Sequence, residues 1–160
     1  MDQDPLWLTE SQQRAWRAYL YSNRRLMETL DRELQSAHGI GHPYYEIFVY
    51  LSEAPDRSMR MSKLAAATRS SRSRLSHAIA RLEENGWVER RDFPGDRRGQ
   101  VAVLTDAGFA LLERAARTHV AGVRRYLIDP LSDDQLAALE DASRIIYKAV
   151  PGDLGLPLPE

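Results

Sequence analysis

The residues best suited to chemistry in this sequence lie on one side of a short helical segment, Ser71–Asn85. At about 100° per residue its apolar side chains fall together, and its polar side chains fall on the opposite side. The polar side carries cations, hydroxyls and an imidazole, from Ser73, Arg74, Ser76, His77 and Arg81. Arg72 lies nearer the apolar side and could hold a phosphate or the backbone at the helix start. Such side chains contact phosphates and base edges in a DNA major groove, so we predict a recognition helix. The spacing leaves open which arginine reads guanine and which holds phosphate.

The neighbouring segments are those that would position such a helix. Ser62–Thr68 is a short apolar helix pattern two residues upstream, which is helix-turn-helix spacing, and Ser62 suits its N-cap. Downstream, Asn85-Gly86 suits a left-handed helix end. Two β-like runs, Trp87–Asp92 and Gln100–Leu104, are joined by the basic, turn-rich Phe93–Gly99. Helix, turn, helix and basic hairpin together predict a winged helix.

Charge is segregated along the chain. The whole sequence has a net charge of −1, yet the segment 57–98 holds 11 Lys/Arg against 5 Asp/Glu. That segment is therefore net +6 and the remainder is net −7. A solvated basic face would explain the arginines but not their pairing with a helix-turn-helix and a hairpin.

Helices are predicted on both sides of this winged helix, which we call the head. Capping boxes at Thr9 and Ser132 and a cap at Thr105 begin three of them, which run to about residues 35, 150 and 127. Pro43 begins another that ends at Glu53, and residues 59–61 could add a small third strand beside the wing. The expected fold is mainly α with a small β-hairpin wing, a winged helix-turn-helix head carrying N- and C-terminal dimerisation helices. We assign residues 1–42 and 105–150 to dimerisation, 43–104 to DNA binding and 151–160 to a loose tail.

Long amphipathic helices remote from the head would leave apolar surface exposed in a monomer. A two-fold homodimer would bury that surface and set two recognition helices about one DNA turn, ~34 Å, apart.

Composition narrows the class of protein. At 160 residues, 43% hydrophobic and 28% charged, the chain is expected to be one domain, or one domain with an extension, that is soluble and cytoplasmic and has no membrane partner. The absence of cysteine excludes disulfides, thiolate zinc sites and sensing by cysteine oxidation. We find no phosphate-binding glycine loop, HExxH motif or nucleophile elbow, so we expect neither an enzyme nor a cofactor.

From Ser62 onward the sequence resembles the MarR family of winged-helix transcriptional regulators. The resemblance is carried by the runs 72–77 and 81–90, by Asp96-Arg-Arg98, and by Val103-Leu-Thr105 with Gly108. It implies a homodimer on a pseudo-palindromic operator in double-stranded DNA, usually repressing nearby genes. By position, Arg98 would enter the minor groove, Asp96 would orient it, and Arg97 would lie along a phosphate. Asp96 could instead serve only the hairpin turn.

The resemblance also implies release from DNA by a small, often aromatic or phenolic, effector bound between the head and the dimerisation helices. Candidate effector contacts are Trp16, Tyr19, Asn23, Tyr44 and Tyr45, although aromatic residues at helical spacing are more often core. Asn23 could equally fix the dimer register. A zinc site from His38, His42, His119 and a carboxylate would have to be assembled by the fold, and we expect no metal. The competing function is a winged-helix interaction module that no longer binds an operator.

Overall fold

The computed structural model describes residues 7–93 and 96–151, except for the side chains of residues 96–98. The described part contains six α-helices and three strands, in the following order: α1 (Glu10–His38), α2 (His42–Glu53), β1 (Ser58–Arg60), α3 (Met61–Ala67), α4 (Arg72–Glu84), β2 (Val88–Phe93), β3 (Asp96–Leu104), α5 (Asp106–Val123) and α6 (Asp133–Ala149). A 3-10 turn, Pro55–Arg57, precedes β1, and a π-helical turn, Arg124–Ile128, continues α5. The fold is mainly helical with a small sheet, as the sequence predicts. No helix among residues 7–93 and 96–151 has the length and apolarity needed to cross a bilayer.

Local signals place most helix ends. Thr9 and Ser132 form the two predicted capping boxes, and Thr105 accepts from the amide of Gly108 at 3.1 Å. Gly39 and Gly86 have φ of +71° and +72° where α1 and α4 end, a conformation that glycine adopts without strain. Helix α1 runs to His38 instead of about residue 35, because the left-handed turn falls only at Gly39.

The sheet is antiparallel with strand order β1-β3-β2. Met59 pairs with Ala102, which confirms the small third strand. The prediction that Ser62 caps the next helix is wrong. Strand β1 passes directly into α3, so Arg60 occupies the cap position with extended backbone and Ser62 already lies in the first turn.

One core joins all the elements of the head to α5 and the end of α1. Phe48, Leu51, Leu64, Ile79 and Leu82 are fully buried in it, and buried residues from β2, β3 and α5 complete it. Helix α5 approaches the base of the wing closely at Gly108, where an added Cβ would clash with the carbonyl oxygen of Trp87. The recognition segment is therefore held from behind by the same core that fixes the wing.

The two ends of the described chain differ from this head. In α1 only Leu30 and Leu34 are buried, and no residue of α6 is buried. Several large apolar side chains consequently lie exposed on these helices: Trp16, Tyr19, Leu20, Met27, Leu139, Ile145 and Ile146.

Candidate nucleic-acid interface

Helix α4 begins after a tight, hydrogen-bonded turn. The amides of Thr68, Arg69 and Ser70 donate to carbonyl oxygens of α3 at 2.9–3.1 Å. Arg69 has a φ of +49°, a left-handed conformation that lets the chain reverse within residues 68–71. Ser71 then caps α4 by accepting from the amide of Arg74 at 3.2 Å. The two helices thus have the predicted helix-turn-helix connection.

The two sides of α4 divide as the sequence predicts. Leu75, Ile79 and Leu82 are buried against the core. The polar side chains proposed for DNA contact face away from the core. Arg72, Ser73, Arg74, His77 and Arg81 are exposed, and Ser76 is half-buried. Among the side chains that the structure describes, the three arginines of this face have no ion-pair partner. Their charges are therefore available to a polyanion.

A further arginine fixes the position of α4. Arg90, on β2, donates from Nη2 to the carbonyl oxygen of Ser76 at 2.7 Å. Its Nε lies 3.1 Å from Glu83 Oε2, and its backbone amide donates to Glu83 Oε1 at 2.9 Å. The wing strand thus contacts α4 at two residues that lie two helical turns apart, Ser76 and Glu83. Sequence reasoning missed this role because the two charges lie seven residues apart across a helix–strand boundary.

The wing is a two-stranded ribbon formed by β2 and β3. Strands β2 and β3 pair from Val88 opposite Leu104 to Phe93 opposite Asp96, with an irregular register after Asp92. The guanidinium of Arg60 stacks over the Phe93 ring, with Cζ 3.7 Å from its centroid, so β1 supports the outer part of β2. The backbone of Asp96, Arg97 and Arg98 belongs to β3, but their predicted DNA contacts involve side chains outside the described part of the chain.

Tyr44 lies beside the recognition helix. It lines an open groove along α4 together with Arg74, His77, Ala78, Ala80, Arg81 and Glu84. Its ring is half-buried and packs against the core. The Tyr44 side chain thus borders the polar face of α4.

The other candidate effector contacts lie in two separate places. Trp16 and Tyr19 form a ring pair with centroids 6.3 Å apart on the exposed half of α1, where Asn23 is also exposed. Tyr45 instead packs on His119, with ring centroids 4.8 Å apart, and burial raises its pKa. A single chain therefore does not bring the five predicted effector contacts together.

Histidines meet where α1, α2 and α5 converge. The rings of His42 and His119 lie 5.6 Å apart, while His38 turns aside to hydrogen-bond Thr118 Oγ1 at 2.8 Å. Burial, and secondarily the charge of His42, lowers the pKa of His119. No group of three potential metal-binding His, Asp or Glu residues occurs in the part of the chain that the structure describes.

Comparison with known proteins places these features in a family. A model described as the MarR family matches residues 38–99. The regulator PecS of Dickeya dadantii is 36% identical over 74 residues, which are 46% of this chain and 44% of PecS. The transcriptional repressor MprA of Escherichia coli is 30% identical over 96 residues, 60% of this chain and 54% of MprA. The matched part thus spans about half the length of these curated relatives.

Solved structures also match over nearly the whole chain. Sco3205, a MarR family transcriptional regulator from Streptomyces coelicolor solved in complex with DNA, is 44% identical with a TM-score of 0.86, covering 95% of each chain. AbsC, a MarR family regulator from the same organism, is 45% identical with a TM-score of 0.82, covering 89% of this chain and 95% of AbsC.

Proposed function

This chain belongs to the MarR family of transcriptional regulators, and from that premise we propose that it represses transcription by binding a specific operator in double-stranded DNA. The observation that carries the proposal is the polar face of α4. Its exposed arginines have no internal ion-pair partner in the described residues, while Arg90 and the core hold the helix rigidly behind them. A preorganised cationic face of this kind loses little entropy on entering a major groove.

Within this face we assign base reading and phosphate binding to different residues. Arg74 and Arg81 are the main contacts in this proposal: Arg74 binds a guanine edge in bidentate geometry, and Arg81 binds a phosphate. Ser73, Ser76 and His77 have shorter side chains suited to neighbouring bases or phosphates, and Arg72 at the helix start suits a phosphate.

The wing completes the DNA contact in this proposal. Arg98 enters the narrow minor groove, Asp96 orients its guanidinium, and Arg97 lies along a phosphate. The ribbon β2–β3 that would carry these side chains includes Arg90, which links it to α4.

We further propose that the active species is a homodimer formed through residues 1–42 and 105–150. Helix α6 buries none of its residues, and Ile145 and Ile146 are 60% and 45% exposed in the single chain. Trp16, on α1, is 52% exposed. Exposed apolar side chains repeated along two long helices favour a second copy as their partner. The operator would then be a pseudo-palindrome.

An effector that releases the DNA forms the last part of the proposal. Trp16, Tyr19 and Asn23 lie apart from Tyr45 in one chain, so a shared effector site requires residues of both copies. An aromatic acid is the ligand chemistry that stacking rings and a side-chain amide would accept.

The decisive experiment is fluorescence anisotropy of a labelled duplex from just upstream of the protein's own gene, titrated at several salt concentrations. We expect nanomolar binding that exceeds binding to a scrambled duplex and weakens steeply with salt. Equal, weak binding to this duplex and to fragments selected genome-wide would favour the competing interaction module. Weak retention on heparin with little salt dependence would support the same alternative.

A further inference from the structure

We propose that Tyr44, which lies outside the helix-turn-helix and the wing, is itself a DNA contact residue. Its hydroxyl donates to a phosphate oxygen on the strand that flanks the C-terminal half of α4, and Arg81 neutralises the same phosphate. This inference rests on the proposed function, and it transfers Tyr44 from the effector site to the DNA interface.

The first argument is the position of the side chain. Tyr44 lies in the first turn of α2 and shares one open groove with Arg74, His77 and Arg81, which are three residues of the DNA-facing side of α4. A nucleic acid that reaches these three side chains must pass along the groove that Tyr44 borders. The effector residues Trp16 and Tyr19, by contrast, lie on a different helix and form a separate ring pair.

The second argument is the state of the side chain. The Tyr44 ring is half-buried against the core, so few rotamers remain to be lost on binding. None of the hydrogen bonds in the described part of the chain involves its hydroxyl. A phenol held by its ring, with a hydroxyl not used internally, suits a phosphate oxygen.

The third argument is electrostatic. Two guanidinium groups, from Arg74 and Arg81, and one imidazole, from His77, line the groove against the single carboxylate of Glu84. This excess of cationic groups favours an anionic phosphate over an uncharged apolar ligand. The amides of the α2 first turn do not contribute, because Asp31 Oδ1 already accepts from the His42 amide at 2.6 Å and Gly41 O accepts from the two amides that follow Pro43.

The test compares two substitutions that each remove one hydroxyl from the same helix. Tyr44→Phe removes the proposed phosphate donor. Tyr50→Phe is the matched control, since the Tyr50 hydroxyl is buried without a hydrogen-bond partner in the described residues and lies away from the groove. Both variants retain their rings, and thermal unfolding would verify that both fold.

The binding partner is a duplex enriched from a random-sequence pool by the full-length wild-type chain. We expect Tyr44→Phe to bind it about tenfold more weakly, which corresponds to about 1.4 kcal/mol, and Tyr50→Phe to bind like the wild type. The salt dependence of Tyr44→Phe should stay unchanged because the phenol carries no charge. Arg81→Gln should instead lower the slope by about one.

A methylphosphonate scan of the same duplex locates the contact. At one position the neutral linkage should weaken Tyr44→Phe less than the wild type, because both proteins lose the Arg81 ion pair there but only the wild type also loses the Tyr44 hydrogen bond. Specific wild-type binding with equal affinities for Tyr44→Phe and Tyr50→Phe would overturn the Tyr44 contact alone. If Tyr44→Phe bound DNA like the wild type but responded differently to aromatic acids, Tyr44 would belong to the effector site instead. Failure to enrich any duplex would overturn the proposed function and this contact with it.

Discussion

The guanidinium of Arg90, on the first wing strand, is bound to Glu83 on the recognition helix, with Nε 3.1 Å from Oε2. The same guanidinium donates to the carbonyl oxygen of Ser76 at 2.7 Å, two helical turns before Glu83. The Arg90 and Glu83 side chains are only 24% and 32% exposed. Wing and recognition helix are therefore linked by a partly buried ion pair and by charge-assisted hydrogen bonds, in addition to the core.

Arg90→Ala should destabilise the fold by about 2 kcal/mol, because it removes the ion pair with Glu83 and the guanidinium hydrogen bond to the Ser76 carbonyl. The Glu83 carboxylate would keep only the hydrogen bond from the backbone amide of residue 90. Arg91→Ala is the matched control. Arg91 pairs with Glu89 on the same strand, but their side chains are 61% and 46% exposed, so the loss should stay below about 0.5 kcal/mol. Urea denaturation measures both. Similar losses in the two variants would contradict the role assigned to Arg90.

The wing assignment predicts that Arg98→Ala weakens operator binding strongly while thermal stability and dimer mass stay unchanged. Loss of a minor-groove arginine should also relax the preference for A·T-rich flanks. Arg97→Ala, which removes a phosphate contact, should instead weaken binding to all sequences by a similar factor. Anisotropy titrations on operator variants measure both effects. An Arg98→Ala affinity within about twofold of wild type, roughly 0.4 kcal/mol, would show the minor-groove assignment to be wrong.

The sequence predicted the order of helices and strands because its local signals are strong. Two capping boxes, the cap at Thr105 and the turn at Gly86 each fix a boundary within a few residues. The start of α3 was missed because it depends on pairing between β1 and β3, which are more than 40 residues apart. A cap residue cannot be recognised locally where a strand passes directly into a helix.

The candidate site was predictable only in part, for a similar reason. The helical period identified the outer face of α4, since burial of Leu75, Ile79 and Leu82 orients the rest. The roles of Arg90 and Tyr44 depend on which elements pack beside α4, and one-dimensional spacing carries no such information. The sequence grouped five residues as effector contacts because of their side-chain types, but in the fold one of them, Tyr44, lies beside the recognition helix.

His119 makes stability depend on pH in a defined direction. It packs between Tyr45 and His42 of α2, and its Nδ1 is buried without a hydrogen-bond partner in the described residues. Asp31 of α1 faces the same junction but is engaged by the His42 amide. Burial, followed by repulsion from His42, lowers the pKa of His119 below its ordinary 6.5. The folded chain therefore disfavours the imidazolium form.

Because the unfolded chain accepts this proton more readily, the stabilising effect of neutral His119 is complete above about pH 6.5 and is lost as the pH falls through that value toward the lower folded pKa. His119→Gln, which cannot titrate, should flatten that part of the profile. The free energy of unfolding, measured by urea denaturation between pH 7.5 and 5.5, provides the comparison. Parallel pH profiles for the wild type and His119→Gln would exclude this coupling.

The proposed dimer predicts that a charge on the apolar side of α6 separates the copies. Leu139 and Ile146 lie seven residues apart on one side of this helix, and both are exposed in the single chain although the helix is otherwise regular and well capped. In a dimer Ile146→Glu would bury an unpaired carboxylate, which is strongly unfavourable.

We therefore expect Ile146→Glu to halve the mass measured by light scattering at micromolar concentration and to weaken operator binding, since each half-site would be bound separately. Ala137→Glu adds the same charge on the opposite side of α6 and should leave the dimer intact. Because no residue of α6 is buried in the single chain, neither substitution should disturb the core of the head. A dimer that persists in Ile146→Glu would mean that the apolar side of α6 does not form the contact, and that the exposed stripe of α1 must provide the interface without it.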